Sequence, residues 1–542
     1  MTMQPQDLEQ WVLSIAAYIQ RGETPPVDYY LSFAQEPDIA SRLIGLIEGL
    51  DDNVIDGDDV YYSACIFAID IFVSQLQMAL EAGNKQSEAM LSVFMGCLAS
   101  AIHAKKHTIA FWMPVLNVFY EMHVELSAEL KYAYLQLADN EVVEPGGDET
   151  SASAIQHLIN ELSHLSIFDI TEHLFAQSYA MPADFFIDLV TDLFSVDKGR
   201  DIGVLALLHP NSEVREVVMD ELDDILETVT LTSEGLSRLQ AISHWYAPYH
   251  HDKFNRWIKS QRKKGVVFCR ATEPMHVSLQ ASEVDGGGAQ GLFICLKDKK
   301  EYRIGSLLCK QGFGIKDTWI TPPVSKENMG QYFEEAFDEN ITLRTVDVDY
   351  LVLIVNHFLA VMLAEGRMPT LHLLEIQEQL GLQFIPRFLD TKACIQALSV
   401  QISPFTPEAI QDSFKRSAKW PTTKGFTESW YFENAAIDTL VNKHCSLVDG
   451  VKICDFPAAR ACVLEQELER YRDWWLFHFL WLALWAKVKS RKNEKVWLDA
   501  FYIAHAIDMG MPLKDIPLMQ KVCEQTVLNS METMQDRRTY LS

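Results

Sequence analysis

Runs of apolar residues with the length and spacing of helices dominate this 542-residue chain and most constrain its fold. Apolar residues that recur every three or four positions form one face of an α-helix. In the first 140 residues such runs are separated by proline, glycine or acidic clusters, and they cover residues 8–19, 40–50, 61–80, 89–102 and 111–137. The sequence therefore predicts an acidic helical domain over residues 1–138.

A second helical region follows a stretch with the composition of a linker. Residues 139–153 contain one proline, two glycines and several acids, and they are predicted to form an exposed linker. Helical spacing resumes at residue 154 and continues to residue 264.

One segment of this region, HPNSEVREVVMDELDDIL at residues 209–226, resembles the second half of a HEAT-type helical repeat. A Pro-Asn-Ser turn is followed by a helix for which Ser212 is the predicted N-cap. The apolar positions of that helix are Val217, Val218, Leu222 and Leu226. The resemblance implies HEAT-like packing of helices over residues 154–264, and stacked helices of this kind present broad surfaces.

The spacing changes near residue 265. Short β-branched or alternating runs, separated by glycine-rich or charged turns, are typical of β-hairpins; they cover residues 266–268, 275–282, 291–296 and 302–308. We expect a small β-rich module over residues 265–323 and, where helical spacing returns, a helical C-terminal domain over residues 324–542. The predicted fold class is mainly α, with a HEAT-like or irregular helical N-terminal half.

The sequence predicts no transmembrane segment and a cytoplasmic location. Residues 474–486 are thirteen uncharged residues rich in tryptophan, whereas a bilayer span needs about 20. They are predicted to form a buried helix, with an interfacial or partner-binding helix as the alternative. The N-terminus has no basic region before its apolar residues, and the ten cysteines include no C-x-x-C pair.

The net charge of the chain is confined to its first half. Residues 1–250 contain 10 Lys and Arg against 39 Asp and Glu, whereas residues 251–542 contain 36 of each. The boundary falls at a basic segment, and residues 253–316 are where a nucleic-acid contact is expected. The same basic patch has a second interpretation, in which it docks on the acidic half of its own chain.

Nine residues form the candidate anion or nucleic-acid contact. They combine cations, which bind phosphate, with aromatic rings, which stack on bases: Arg256, Lys259, Arg262, Lys263, Lys264, Lys310, Phe313, Lys316 and Trp319. The alternative for the glycine-flanked Phe313 is a loop whose ring fills a domain interface.

No pattern in the sequence assigns catalytic residues, a cofactor or a metal site. GGGAQG at residues 286–291 satisfies G-x-G-x-x-G, but a strand rather than a helix is predicted to follow it, which indicates a hairpin turn. His103 and His107 lie four apart on a predicted helix without the glutamate of a zinc protease.

These features favour binding over chemistry. The expected function is that of a non-enzymatic interaction or scaffold protein whose acidic helical half binds a basic protein or a basic segment of one. The alternative is a nucleic-acid-processing or nucleotide-handling enzyme with a site near residues 310–319.

Overall fold

The computed structural model divides the chain into two compact units. Residues 1–202 with 536–542 form the first unit, and residues 203–535 form the second. The structure describes residues 5–23, 39–52, 59–81, 84–141, 151–269, 276–298, 301–336, 343–402, 406–422, 430–432, 434–448, 451–488 and 495–539. Most of the predicted linker, at residues 142–150, lies outside them. The predicted division into five parts stays a prediction.

The described part of the first unit is helical throughout, as predicted. Each apolar run of the sequence forms a helix, except that residues 111–137 contribute to two helices. The helices are α1 (Pro5–Arg21), α2 (Ile39–Glu48), α3 (Val60–Glu81), α4 (Lys85–His103), α5 (Ile109–Glu121), α6 (Ala128–Glu141), α7 (Ser151–Glu161), α8 (Ile167–Gln177) and α9 (Phe185–Ser195).

Aromatic side chains form the centre of the core of helices α1 to α6. Phe94 contacts the ring of Phe72 at 5.3 Å and the ring of Phe119 at 5.9 Å between centroids. The buried hydroxyl of Tyr134 donates a hydrogen bond of 2.9 Å to the carbonyl of Trp112. A buried polar group costs free energy unless it is bonded, so this contact joins α6 to α5 without that cost.

The second unit begins with a helical region. Helix α10 (Gly199–Leu205) crosses the division between the units, and α11 (Ser212–Thr228), α12 (Ser233–Ser243) and α13 (His251–Lys263) follow. The predicted N-cap of α11 was wrong by one residue. Asn211 has the extended backbone of a cap and its side chain accepts from the amide of Glu213, whereas Ser212 is already helical.

A five-stranded antiparallel sheet confirms the predicted β-rich module. Its spatial order is β4-β3-β2-β1-β5, and its strands are β1 (His276–Ser282), β2 (Ala289–Asp298), β3 (Glu301–Lys310), β4 (Gly314–Ile320) and β5 (Leu343–Thr345). Residues 266–268, expected to be β, form no strand. Strand β5 lies beyond the predicted end of the module at residue 323. The sequence did not predict it because it pairs with β1, which is distant in the chain.

The GGGAQG segment is a hairpin turn, as predicted. Gly288 has φ +72°, its amide donates to the carbonyl of Asp285, and β2 begins at the next residue. A Cβ at Gly288 would lie 2.7 Å from the ring of Trp474. Glycine is therefore required both for the backbone conformation and for the close packing.

Helices return after the sheet, as predicted. They are α14 (Lys326–Ala336), α15 (Val348–Ala364), α16 (Leu371–Leu380), α17 (Thr391–Ser399), α18 (Pro407–Ser417), α19 (Ala435–Lys443), α20 (Phe456–Cys462), α21 (Arg472–Lys487), α22 (Val496–Asp508) and α23 (Pro517–Thr539). The hairpin of β6 (Cys445–Val448) and β7 (Val451–Cys454) carries a disulfide between Cys445 and Cys454, which the spacing of the cysteines did not predict.

The tryptophan-rich segment forms the buried helix α21, as predicted. The indole N–H of Trp481 donates a hydrogen bond of 3.1 Å to Gln290, whose same oxygen accepts from the hydroxyl of Tyr350 at 2.7 Å. This buried network joins α21, β2 and α15.

Among the described residues, α3 has the length and apolar composition needed to cross a membrane. A helix in the core of a protein passes the same test, so this is weak evidence for a span. The prediction that the chain has no transmembrane segment stays a prediction.

Candidate functional site

The first group of predicted contact residues lies on or directly after α13, where several of the cations are engaged by α11. The ammonium of Lys253 lies 2.8 Å from Asp220 and 3.1 Å from Asp223, and Arg256 lies 3.3 Å from Asp223. Burial lowers the pKa of Lys253, but its bonds to the two carboxylates outweigh burial and raise that pKa. The basic segment thus docks on acids of its own unit.

Lys264 closes the C-terminal end of α11. Its ammonium donates hydrogen bonds of 3.0 Å to the carbonyl of Leu226 and 2.8 Å to the carbonyl of Val229. The side-chain amide of Gln261 donates hydrogen bonds to the same two carbonyls. A cation at a helix C-terminus is favoured by the helix dipole, so this predicted contact residue has a structural role.

The remaining α13 cations are exposed. Lys259, Arg262 and Lys263 point outward, and the side chain of Arg256 is 68% exposed despite its ion pair. The guanidinium of Arg262 lies 5.7 Å from the centre of the Phe268 ring. These residues give α13 a positively charged outer face.

The second group of predicted contact residues lies in the hairpin between β3 and β4, and Lys310, Phe313, Lys316 and Trp319 are all half-buried there. The guanidinium of Arg367 lies 3.8 Å from the centre of the Phe313 ring and donates to the Phe313 carbonyl. One face of that ring is therefore covered and closed to base stacking.

The hairpin rests on α15. Gly314 has φ +102°, and a Cβ there would lie 2.6 Å from Met362 and 2.8 Å from the carbonyl of Phe358. Lys310 lies near Asp285, whose pKa is raised by burial and partly restored by backbone hydrogen bonds and this lysine. The hairpin thus packs on α15 and α16, whereas α13 packs on α11 and α12.

A concave site that the sequence did not predict lies in the first unit, between α1, α3 and α5. Its cavity volume is about 350 Å³, and Ile19 of α1 forms part of its wall. Two helix faces with the same spacing of three and four residues line it: Ser63, Ile66, Phe67 and Asp70 of α3, and Pro114, Asn117, Val118 and Glu121 of α5. We call this site the α3–α5 groove.

Two buried oxygens of the α3–α5 groove accept no hydrogen bond from the described residues. Asp70 Oδ1 and Asn117 Oδ1 are buried, and neither has a hydrogen-bond partner among the described residues. Burial raises the pKa of Asp70, and burial followed by the charges of Asp70 and Glu172 raises that of Glu121, although Glu121 as a whole residue is exposed. The site thus contains unneutralised negative charge beside apolar walls.

One signal in the sequence marks this groove. Asp70 is the only formally charged residue of α3 before its last residue, Glu81. A charge in the middle of an apolar helix is costly unless it has a partner or a function. Asp70 lies near Glu121, 51 positions later in the sequence, because α3 packs on α5.

Among the described residues, no three His, Cys, Asp or Glu side chains are placed to hold a metal ion. His107, which the sequence paired with His103, instead contacts Asp52 Oδ1 at 2.5 Å and the carbonyl of Glu48 at 3.0 Å. His103 packs against the ring of Tyr132.

Two parts of the chain match described domain families. Residues 182–265 match the Y4lR second domain, and residues 392–531 match the Y4lR C-terminal helical domain. The first match ends where the helix-to-strand transition was predicted, and it crosses the division between the compact units. Neither family is a HEAT family, so the HEAT resemblance stays a prediction while the helical character is confirmed.

The chain is also similar to "Uncharacterized protein y4lR" of Sinorhizobium fredii (strain NBRC 101917 / NGR234). The two are 26% identical over 322 residues, which are 58% of this chain and 59% of the relative. The match thus spans about three fifths of the relative's length. No solved structure matches the chain.

Proposed function

We propose that this protein is a non-enzymatic interaction protein whose acidic helical N-terminal half binds a basic protein or a basic segment of one. The observation that carries the proposal is that cations of the basic segment, where the acidic half of the sequence ends, are already bound within the chain. Lys253, Arg256 and Lys264 are engaged by α11 within the second unit. Residues 1–202 contain 8 Lys and Arg against 31 Asp and Glu, and this excess attracts a basic partner over long distances.

The test is capture of partners by the tagged full-length chain at 50 and 300 mM NaCl, since steering by charge weakens with salt. We expect a captured protein with a basic binding segment, and we expect most of it to be lost at the higher salt. A partner that is acidic throughout, or one retained equally at both salt concentrations, contradicts the proposal.

The HEAT-like arrangement belongs to the same proposal. Helix α11 follows the Pro-Asn turn and packs on α13, which also packs on α12. Such stacking supports a role as a scaffold. The cytoplasmic location remains part of the proposal.

A second candidate is nucleic-acid binding through the exposed face of α13, favoured by the outward position of Lys259, Arg262 and Lys263. The test is binding of labelled RNA and DNA at low salt by the K259E/K263E variant. The matched control is K326E/K392E, which changes two exposed lysines of the same unit. Equal affinity of the two variants removes this candidate. The alternative of a nucleic-acid-processing or nucleotide-handling enzyme with a site near residues 310–319 stays a prediction.

A further inference from the structure

We propose that the α3–α5 groove binds the side chain of a lysine from the basic partner, with its ammonium between Asp70 and Glu121. This inference rests on the proposed function, because it assigns the anchoring point of the partner that the acidic half attracts. It adds a specific site to what net charge alone provides.

The chemistry of the groove is complementary to a lysine side chain. Ile19, Ile66, Phe67 and Val118 offer apolar surface to the four methylene groups of the stem. Beyond them, two carboxylates and the amide of Asn117 offer oxygen acceptors to the three N–H donors of an ammonium. A volume of about 350 Å³ lies within the usual range of binding sites, about 300 to 1,000 Å³.

The groove also lacks a cation of its own. Among the described residues, neither Asp70 nor Glu121 forms an ion pair, and burial followed by the charge of Asp70 raises the pKa of Glu121. A bound ammonium removes that repulsion and supplies donors to the buried oxygens. Binding therefore releases protons at a pH near the raised pKa values, and affinity falls as pH decreases through them.

The experiment measures binding of a fluorescent peptide of alternating lysine and glycine to the full-length chain, by anisotropy at 50 mM NaCl. The D70N/E121Q variant removes the two groove charges with little change in shape. The matched control D184N/D188N removes two exposed charges in the same unit, one directly before α9 and one in its first turn, and Asp184 makes no capping hydrogen bond. We expect D70N/E121Q to weaken binding about tenfold or more relative to this control, as for loss of a charged hydrogen bond.

A third variant separates shape from charge. Ser63 is exposed and lines the groove, so S63W fills the cavity without changing the net charge. We expect S63W to weaken binding as well, and we expect wild-type affinity to fall more steeply than that of D70N/E121Q as the pH is lowered from 7.5 toward the ordinary carboxyl pKa values of 3.8 and 4.5. If D70N/E121Q does not fold, as checked by thermal melting, S63W and the wild-type pH profile decide the question.

The possible failures are distinguishable. Equal affinities of D70N/E121Q and D184N/D188N, with no effect of S63W, overturn the groove assignment and leave the proposed function intact. No binding of the peptide by the wild type at low salt removes both. Groove-dependent binding of free spermidine, without groove-dependent binding of the peptide, assigns the groove to a small amine and overturns its assignment to a partner's lysine.

Discussion

Arg215 is a buried arginine of α11. Among the described residues, its guanidinium donates only to backbone carbonyls, at 2.7 Å to His209, 2.7 Å to Pro210 and 3.4 Å to Gly366. We predict that R215M destabilises the second unit by about 3 kcal/mol, since buried acceptors lose their donors. Urea unfolding followed by tryptophan fluorescence measures this, because all tryptophans except Trp11 and Trp112 lie beyond residue 202.

The matched control is R256M on α13. Arg256 is exposed and forms one ion pair at 3.3 Å, so its loss is expected to cost less than about 1 kcal/mol. Equal unfolding curves for R215M and the wild type would show that the carbonyl contacts of Arg215 do not stabilise the unit.

At the scale of elements, α21 buries a histidine among aromatic rings. His478 is stacked on Trp474 at 5.1 Å, and neither ring nitrogen has a hydrogen-bond partner among the described residues. Burial lowers the pKa of His478 from 6.5 to about 3. Between pH 6.5 and about 3, the unfolded chain therefore binds a proton at His478 that the folded chain does not. The free energy of unfolding is unaffected by this proton above pH 6.5 and decreases as the pH falls below it.

Between pH 7 and 4.5, His478 is expected to lower the free energy of unfolding of the wild type by about 2.7 kcal/mol, at about 1.36 kcal/mol per pH unit below 6.5. We predict that H478F does not show this loss. At pH 7 the variant should be as stable as the wild type or more so, because it removes an unpartnered polar group. Urea unfolding at both pH values measures the difference. The control is H164F at an exposed position, and the same pH slope for H478F and H164F would contradict the prediction.

At the scale of the whole molecule, charge is distributed unevenly between the two units. Residues 1–202 contain 8 Lys and Arg against 31 Asp and Glu, whereas residues 203–535 contain 36 against 43. Because like charges repel and salt screens them, we predict that raising NaCl from 50 to 300 mM stabilises the first unit more than the second.

Hydrogen exchange followed by mass spectrometry resolves this effect along the chain. Peptides from α1 to α6 should gain protection with salt, and peptides from α15 and α21 should change less. A uniform gain over both units would show that screening of the net charge does not distinguish them.

The sequence alone determined most of the helices, the hairpins of the central sheet and many of their ends, because the patterns that specify them are local; it did not predict the hairpin of β6 and β7. Apolar spacing of three and four residues predicted α1 to α4 and placed α5 and α6 within one helical run, and Gly288 marked its turn. The same local signals predicted the burial of α21, since thirteen uncharged residues require an apolar environment. The position of the α11 cap was missed by one residue because Asn211 and Ser212 are both good caps.

Only the tertiary structure decided which distant residues meet. The pairing of β5 with β1, the engagement of Lys253 by Asp223 and the covering of Phe313 by Arg367 each join residues far apart in the chain. The α3–α5 groove is of the same kind, because Asp70 and Glu121 share a site through the packing of two helices. Such packing depends on the summed burial of many side chains, which no local pattern encodes.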